Sequence, residues 1–203
     1  MRSLREGGWS AVASDFIDCG ADVFETPEIK MKMRILHAVD KSLDRITISE
    51  ICENAGISRQ TFYRHFDSKY DIPWWHSIYC RQFYLNEIGR TIDWHTGYYH
   101  HLRLILKERD FYRKSIQYSI NMPFGQSVMP INREAVLLDT LANWRHVEID
   151  ENMRFIVEMF SKLECEVFND WFRSDRPADL NRWTDDVVSL VPRRLYHALE
   201  MPD

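Results

Sequence analysis

Hydrogen-bond donors suited to nucleic acid are concentrated in one short segment of the chain. Between positions 59 and 64 the sequence places two arginines, a glutamine and a tyrosine, namely Arg59, Gln60, Tyr63 and Arg64. Side chains of these types hydrogen-bond to base edges and to phosphate oxygens. Phe62 and Phe66 stand four positions apart, which puts both on one face of a helix. We therefore predict a helix that packs through its phenylalanines and presents the donors outward.

The residues before this helix carry helix start and stop signals. Thr47 and Glu50 form a capping box, in which the two side chains satisfy free backbone N–H groups at the start of a helix. Gly56 can end that helix, because glycine enters the left-handed conformation without a steric penalty. Ser58 can cap the donor-bearing helix that follows. A capped helix, a glycine turn and a second short helix predict a helix-turn-helix over residues 46–70.

One helix precedes this motif and another follows it. Thr26 and Pro27 mark the start of the first, with a capping hydroxyl and a proline at the first helical position. Its apolar face recurs at helical spacing, at Ile29, Met33, Leu36, Val39 and Leu43. Asp67 and Ser68 are predicted to restart the chain as a fourth helix.

The segment from Ile57 to Lys69, Ile-Ser-Arg-Gln-Thr-Phe-Tyr-Arg-His-Phe-Asp-Ser-Lys, resembles the signature of TetR-family transcriptional regulators. The resemblance covers residues 27 to about 75. It implies that the first residues of the two motif helices contact DNA bases and phosphates, through Thr47, Ser58, Arg59, Gln60 and Thr61. It also implies DNA-backbone contacts from Tyr63, His65 and Lys69, and a structural role for Gly56.

Among these residues, Arg59 and Gln60 are expected to read bases, because arginine pairs with guanine and glutamine with adenine through two hydrogen bonds. Arg64 joins the predicted interface as a donor on the outward face. Alternatives remain open for three residues. Ser58 is equally suited to capping alone, His65 to packing beside Phe66, and Arg64 to a solvated surface.

The rest of the chain also favours helices. Apolar residues recur at steps of three and four after residue 26, and no stretch alternates over the length of a strand, so we predict an all-α fold. Breaks are predicted near residues 93–97, 121–125 and 173–177. We place a helix-turn-helix DNA-binding domain at 27–72 and a helical effector-binding and dimerisation domain at 73–203.

Two C-terminal segments have apolar faces suited to assembly. Residues 155–172 are apolar over much more than one face, so this helix is predicted to be buried on two sides. Residues 178–199 form a last helix that Pro192 must kink or split. The family resemblance implies that the last two helices pair with their copies in an isologous homodimer. The predicted interface residues are Phe160, Leu163, Val167, Trp183, Val187 and Leu190. Two recognition helices would then lie about 34–36 Å apart and face a near-palindromic operator.

The same resemblance implies a small-molecule effector that binds in the second domain. Aromatic candidates for the lining of its pocket are Phe111, Tyr112, Tyr118, Trp144, Phe155 and Trp171. Because aromatic residues at helical spacing are more often core, packing is the alternative role for this set. The identity of the effector is not encoded in any motif.

Catalysis and metal binding find no support in the sequence. The four cysteines are scattered singly, and GxSxG, P-loop, GxGxxG and HExxH motifs are absent. His95, His100 and His101 are the one histidine cluster, but adjacent residues on a helix point about 100° apart. We therefore expect no enzyme, no cofactor and no metal site.

The charge distribution is compatible with DNA binding, although the net charge of −5 opposes it. Residues 27–72 carry a net charge of +1, whereas residues 1–26 and 73–203 each carry −3. The acidic excess therefore lies outside the predicted DNA-binding domain. No apolar run of membrane-spanning length and no signal peptide is visible, so a cytoplasmic protein is expected.

Residues 1–26 depart from the family resemblance, because the family's regulators usually begin close to the first helix. This extension contains apolar residues, Trp9, Phe16, Ile17, Val23 and Phe24, that suit a short helix packed on the body or on a dimer partner. A mostly disordered arm is the alternative. Being acidic, the extension is not suited to the minor groove.

The sequence thus predicts a dimeric, ligand-responsive transcriptional regulator, and the resemblance favours a repressor over an activator. The alternative is a helical interaction protein of the same fold with weak or lost DNA binding. Its support is the modest charge of residues 27–72. Salt-dependent binding to double-stranded DNA separates the two.

Overall fold

The computed structural model describes residues 26–116, 123–173 and 179–200. These residues form ten α-helices and, apart from an isolated bridge between Ile88 and Ile92, no β-structure, which confirms the all-α prediction. The first four helices are α1 (Pro27–His37), α2 (Ile48–Ala55), α3 (Arg59–Tyr63) and α4 (Asp71–Arg81). The remaining six are α5 (Trp94–Leu106), α6 (Arg109–Ile116), α7 (Pro123–Asp139), α8 (Glu151–Arg173), α9 (Leu180–Ser189) and α10 (Arg193–Leu199). A 3₁₀ turn at Leu85–Glu87 precedes α5, and α7 continues into a π-helical turn at Thr140–Trp144.

Helices α1 to α4 pack through apolar residues that belong to the same core cluster as those of the later helices. The helix α1 ends at His37, before the predicted positions Val39 and Leu43, which are buried in the loop that follows. Within α1, Leu36 is buried and Ile29 and Met33 are partly buried. Thr26 caps α1 as expected, because its side chain accepts a hydrogen bond from the Ile29 N–H group at 3.2 Å. The start of α1 is therefore fixed by local chemistry, and its packing by the periodic apolar face.

Helix α4 begins later than the predicted restart at Asp67 and Ser68. The turn before it has hydrogen bonds between residues three positions apart, as in a 3₁₀ helix. The Asp71 N–H group donates to the Ser68 carbonyl at 3.2 Å, and the Ile72 N–H group donates to the Lys69 carbonyl at 3.4 Å. The Asp71 carboxylate in turn accepts from the Ser68 N–H group at 2.6 Å. The chain thus turns at Ser68 in tight geometry and becomes α-helical at Asp71. Because α4 runs without a break through residues 72 and 73, the predicted domain boundary falls inside a continuous helix.

The second half of the chain packs around α8, the longest described helix. Helix α7 lies along α8, α6 and α10 also contact it, and α9 packs on α5. The predicted break at residues 93–97 is shorter than expected, because Asp93 caps α5 and Gly97 lies inside that helix. A glycine fits there because the Ile88 side chain occupies the space that a Cβ atom would need. Close packing, and not a chain break, accounts for Gly97.

Pro192 splits the last predicted helix into α9 and α10, as its missing N–H group requires. Within the described ranges, none of the helices combines the length and apolar character that a bilayer crossing requires. The predicted extension at residues 1–25 and the pocket candidate Tyr118 lie outside the described residues.

Candidate nucleic-acid interface

The N-terminus of α2 carries the predicted capping box. The Thr47 hydroxyl accepts a hydrogen bond from the Glu50 N–H group at 3.2 Å, and the Glu50 carboxylate accepts from the Thr47 N–H group at 2.8 Å. The Thr47 hydroxyl also donates to that carboxylate at 2.9 Å. A phosphate contact from Thr47 would therefore require this hydroxyl to exchange its acceptor.

Lys41 adds an ion pair to this capping box that the sequence did not indicate. Its Nζ atom donates to Glu50 Oε1 at 2.6 Å. The Lys41 ammonium, together with the Thr47 backbone N–H and hydroxyl groups, lowers the pKa of Glu50 to about 2. These hydrogen bonds and the Lys41 cation therefore stabilise the ionised form of the Glu50 carboxylate.

Gly56 makes the turn between the two motif helices. Its φ of 61° and ψ of 42° are left-handed, and its N–H group bonds back to the carbonyls of Cys52 and Glu53. The next N–H group, that of Ile57, donates to the Cys52 carbonyl at 2.9 Å. These bonds close the end of α2 in the manner expected of a glycine C-cap.

Ser58 caps α3 as predicted. Its hydroxyl accepts a hydrogen bond from the Thr61 N–H group at 3.0 Å and lies 2.9 Å from the Thr61 hydroxyl, with which it shares a second bond. Ser58 is exposed and Thr61 is half-buried. Capping therefore occupies the Ser58 acceptor, while the pair of hydroxyl groups still lies at the surface near the start of α3.

The two faces of α3 differ as the sequence predicted. Phe62 is fully buried and Phe66 almost so, and their ring centroids lie 6.0 Å apart. Phe66 packs edge-on against Trp75 of α4 at 5.8 Å. The Lys32 ammonium of α1 lies over both of these rings, at 5.7 Å from Phe66 and 5.3 Å from Trp75. Helices on either side thus hold α3 through its aromatic residues.

The opposite face of α3 carries the predicted donors at the surface. Arg59, Gln60, Tyr63 and Arg64 are exposed, and His65 is half-buried beside Phe66. The structure brings these side chains together on one short helix whose N-terminus is at the surface. Two guanidinium groups and a carboxamide on such a helix can donate to base edges and to phosphates.

Lys69 takes a more structural position than the family resemblance implied. Its ammonium donates to the Ile46 carbonyl oxygen at 2.8 Å and lies 5.2 Å from the centroid of the Tyr70 ring. The Tyr70 hydroxyl donates to Asp44 at 3.2 Å. These bonds attach the turn after α3 to the loop before α2, so Lys69 helps to set the position of the start of α2 relative to the end of α3.

Comparison with known sequences agrees with this geometry. The sequence model described as "Bacterial regulatory proteins, tetR family" matches residues 38–72. The chain carries a TetR-family DNA-binding domain. It is therefore a DNA-binding transcription regulator, with the match covering α2, α3 and the turn between them. No curated protein matches the chain.

Comparison with solved structures shows a likeness in fold that extends beyond this domain. The structure titled "Dihydroxyacetone kinase operon activator DhaS" superposes with a TM-score of 0.57 at 19% sequence identity. The superposition covers 85% of this chain and 99% of that one. At this level of identity the likeness concerns the fold alone.

The predicted pocket residues do not form one group. Phe111, Tyr112 and Trp171 are buried, and the Tyr112 ring stacks on Phe172 at 4.4 Å. In contrast, the side chains of Trp144 and Phe155 are 52% and 59% exposed. Trp144 lies instead under the Arg90 guanidinium, 5.2 Å from it. Phe111 lies edge-on to Tyr112 at 5.4 Å, and Trp171 contacts the same Phe172 ring as Tyr112, so the buried members belong to the core.

The predicted dimer residues divide into buried and exposed groups. Phe160 and Val187 are buried within the single chain, with Phe160 edge-on to Trp94 at 6.0 Å. Leu163 and Leu190 are exposed, and Val167 and Trp183 are half-buried. Residues 155–172 were predicted to be buried on two sides, but within one chain only one side of this helix is buried. The inner face of α8 is core, whereas the outer face is at the surface.

The three histidines of the predicted cluster, His95, His100 and His101, lie in different environments. His101 is buried, His100 is half-buried, and exposed His95 lies 3.5 Å from Asp185. Among the described residues, no group of three or more His, Cys, Asp or Glu side chains could hold a metal ion.

Sequence reasoning missed a buried charged cluster in the second half of the chain. Arg81, Arg133 and Glu164 are each at most 3% exposed. One signal was available in the sequence. Glu164 lies midway between Phe160 and Phe168, four residues from each, at a position where the helical spacing predicts an apolar residue. A charged residue at a core position of an amphipathic helix is expected to have a buried partner.

Proposed function

We propose that this chain is a ligand-responsive repressor that binds a near-palindromic operator as a homodimer and reads it with α3. The observation that carries the proposal is the division of α3 between buried Phe62 and the exposed donors Arg59, Gln60 and Arg64. Chromosomal DNA as partner would place the protein in the cytoplasm.

The acidic residues of the domain do not oppose this role. Glu50 is paired with Lys41, the Asp71 carboxylate accepts from the Ser68 N–H group, and Asp44 accepts from Tyr70. Arg59 and Arg64, by contrast, are exposed on α3. The positive charge is therefore available to phosphates, while part of the negative charge is used in internal bonds.

The outer face of α8 supports a homodimer. Phe155, Met159 and Leu163 are exposed and recur at steps of four, and Val167 continues the stripe. On α9, Leu190 is exposed and Trp183 is half-buried. A hollow of about 390 Å³ between the two helices is lined partly by Val167, Trp171, Trp183, Val187 and Leu190. An exposed apolar stripe beside a hollow suits a self-complementary interface across a two-fold axis. In this form of the proposal, Phe155 and Met159 replace the buried Phe160 and Val187 as interface residues.

The sign of regulation is tested separately from DNA binding. The family resemblance favours repression, whereas the DhaS structure is titled an operon activator. A reporter gene behind the chain's own promoter region tests this point. Deleting the regulator should raise expression if it represses, and lower expression if it activates.

A binding experiment tests the proposal as a whole. Fragments of the chain's own promoter region would be titrated with the full chain across a series of potassium chloride concentrations. We expect the logarithm of the binding constant to fall linearly with that of the salt concentration, as it does when phosphates are neutralised. Absent or salt-insensitive binding would favour a helical interaction protein of the same fold.

Two variants of α3 test the reading face. Arg59→Ala and Gln60→Ala should each reduce discrimination at particular base pairs by about 1–3 kcal/mol. Arg103→Ala, which removes an exposed arginine from α5, is the matched control and should bind as the unmodified chain does. Unchanged base preference in both α3 variants would contradict the assignment.

A further inference from the structure

A buried cluster of ionisable side chains lies where α4, α5, α7 and α8 meet. Arg81 ends α4, Tyr98 lies on α5, Arg133 on α7 and Glu164 on α8. Cys165 is adjacent on α8. All five side chains are buried, so the cluster is enclosed by the helices of the second domain.

Glu164 is the only carboxylate in this cluster, and it is paired mainly with Arg133. The Arg133 Nε atom lies 3.1 Å from Glu164 Oε1 and 3.0 Å from Oε2, and its Nη1 atom donates to the Leu85 carbonyl at 2.7 Å. The Tyr98 hydroxyl donates to Glu164 Oε1. This carboxylate therefore has a cation and a hydroxyl group as close partners.

Arg81 has weaker partners. Its Nη1 atom lies 3.6 Å from Glu164 Oε2, and its Nη2 atom donates to the Cys165 sulfur at 3.6 Å. The Nε and Nη1 atoms of Arg81, the Nη2 atom of Arg133 and the Oε2 atom of Glu164 have no hydrogen-bond partner among the described residues. His101 Nδ1 and Ser161 Oγ, also buried, have none either. Donors of buried guanidinium groups are thus left unpaired in the same region.

The charges in this region do not balance. Burial and the nearby Arg81 cation lower the pKa of His101 well below its usual value, so His101 is neutral. Burial raises the pKa of the Cys165 thiol and that of the Tyr98 hydroxyl, so both are protonated at neutral pH. Among the described residues, two guanidinium cations then face one carboxylate, which leaves one positive charge of this cluster uncompensated. Water can satisfy an N–H group, but it cannot neutralise this charge.

We propose that Arg81 and Arg133 form a binding site for a small organic monoanion whose carboxylate accepts hydrogen bonds from their unpaired N–H groups. A guanidinium group matches a carboxylate in shape as well as in charge. A singly charged carboxylate balances the cluster, whereas a doubly charged phosphate would overcompensate it. The site names a ligand class for the second domain, and it rests on the proposed function only in treating that ligand as the effector.

Formate is a suitable probe because it is the smallest carboxylate. Thermal unfolding of the full chain would be followed against sodium formate, with sodium chloride at equal ionic strength and neutral formamide as references. We expect a saturable rise in melting temperature with formate beyond that in either reference. A change that never saturates, or that equals the chloride effect, would overturn the site.

Variants that change the charge of the cluster distinguish a binding site from a purely structural cluster, because they should change the response of the melting temperature to formate. Arg81→Met removes the uncompensated charge, so we expect loss of the formate response without loss of melting temperature in the absence of formate. Glu164→Gln adds a second uncompensated charge and should raise the affinity for formate at least tenfold. The exposed-site control Arg103→Met should respond as the unmodified chain does. If Arg81→Met fails to fold, the cluster is structural and the proposal is wrong.

Two further measurements separate the alternatives. A Cys165 thiolate at neutral pH, detected by ultraviolet absorbance that Cys165→Ser removes, would supply the missing negative charge and overturn the proposal. DNA binding by the same preparations distinguishes the two proposals. Formate binding without DNA binding would contradict only the proposed function, whereas DNA binding without a formate response would contradict only the anion site.

Discussion

The Lys69 ammonium donates a hydrogen bond to the carbonyl oxygen of Ile46 at 2.8 Å, although the two residues are separated by 23 positions. Ile46 directly precedes the capping threonine of α2, and Lys69 follows the end of α3. The bond therefore fixes the start of one motif helix relative to the turn that follows the other. We expect the spacing of the two helices to depend on this bond, which matters for the proposed function because the first residues of both helices are proposed to face DNA.

Replacing Lys69 with methionine keeps the aliphatic stem and removes this bond. We expect the free energy of unfolding to fall by about 1 kcal/mol. We also expect DNA affinity to fall evenly across operator variants and the slope of log affinity against log salt to decrease by about one. Urea unfolding and fluorescence anisotropy measure the two effects. A variant that loses preference at one base pair only would show that Lys69 reads sequence.

Replacing Gly56 with alanine should destabilise the helix-turn-helix. At a φ of 61° a residue with a Cβ atom is strained, at a cost of about 1–2 kcal/mol. Thermal unfolding followed by circular dichroism measures this loss. Gly56→Asn is the matched control and should lose less, because asparagine tolerates the left-handed conformation. Equal losses in both variants would mean that the added side chain collides with a neighbour, such as the Arg34 guanidinium.

Acid should weaken the domain through Glu50. Its pKa is lowered to about 2 in the folded chain from an ordinary value of 4.5, so the unfolded chain binds the proton more tightly. The stability that Glu50 contributes is therefore fully present above pH 4.5 and is lost as the pH falls toward 2. Glu50→Gln should flatten the fall of the unfolding free energy over this range.

The control for this prediction is Glu53→Gln, an exposed carboxylate on the same helix. It should keep the pH dependence of the unmodified chain. Lys41→Met should make this acid-dependent loss smaller and complete at a higher pH, since the Lys41 ammonium is the largest cause of the lowered pKa of Glu50. An unchanged profile in Glu50→Gln would place the acid-sensitive group elsewhere.

A lysine on the outer face of α8 should separate the proposed homodimer. Leu163 lies at the middle of the exposed apolar stripe, and a charge there would be buried without a partner across the two-fold axis. We expect Leu163→Lys to be monomeric by light scattering and to bind a full operator at least tenfold more weakly. Ile131→Lys places the same charge at an exposed aliphatic position of α7 and should remain dimeric. A dimeric Leu163→Lys would contradict this interface.

The parts of the fold that could be predicted from sequence depend on local chemistry. The caps at Thr47 and Ser58 each involve residues three positions apart, and the conformation of Gly56 follows from its lack of a side chain. The burial of Phe62 and Phe66 follows from helical periodicity alone. The predicted reading face is exposed for the same reason.

Contacts between distant positions could not be predicted in this way. The bond from Arg81 to the Cys165 sulfur spans 84 positions, and no local signal pairs these two residues. Aromatic spacing likewise did not separate buried Trp171 from exposed Phe155, because both lie on an α8 helix that is apolar over much of its surface. The side of a helix that faces the core depends on its neighbours, and one sequence does not specify them.

The division of α3 into an anchored side and a free side has a consequence for how binding specificity can change. Phe62 holds the helix from within, so substitutions at Arg59, Gln60 or Arg64 alter the surface without opening a cavity. Under the proposed function, operator preference can therefore be changed by single substitutions at these positions, in the laboratory or by natural mutation, without loss of the fold. On α3, the exposed residues that are proposed to recognise DNA and the buried residue that holds the helix are therefore separate.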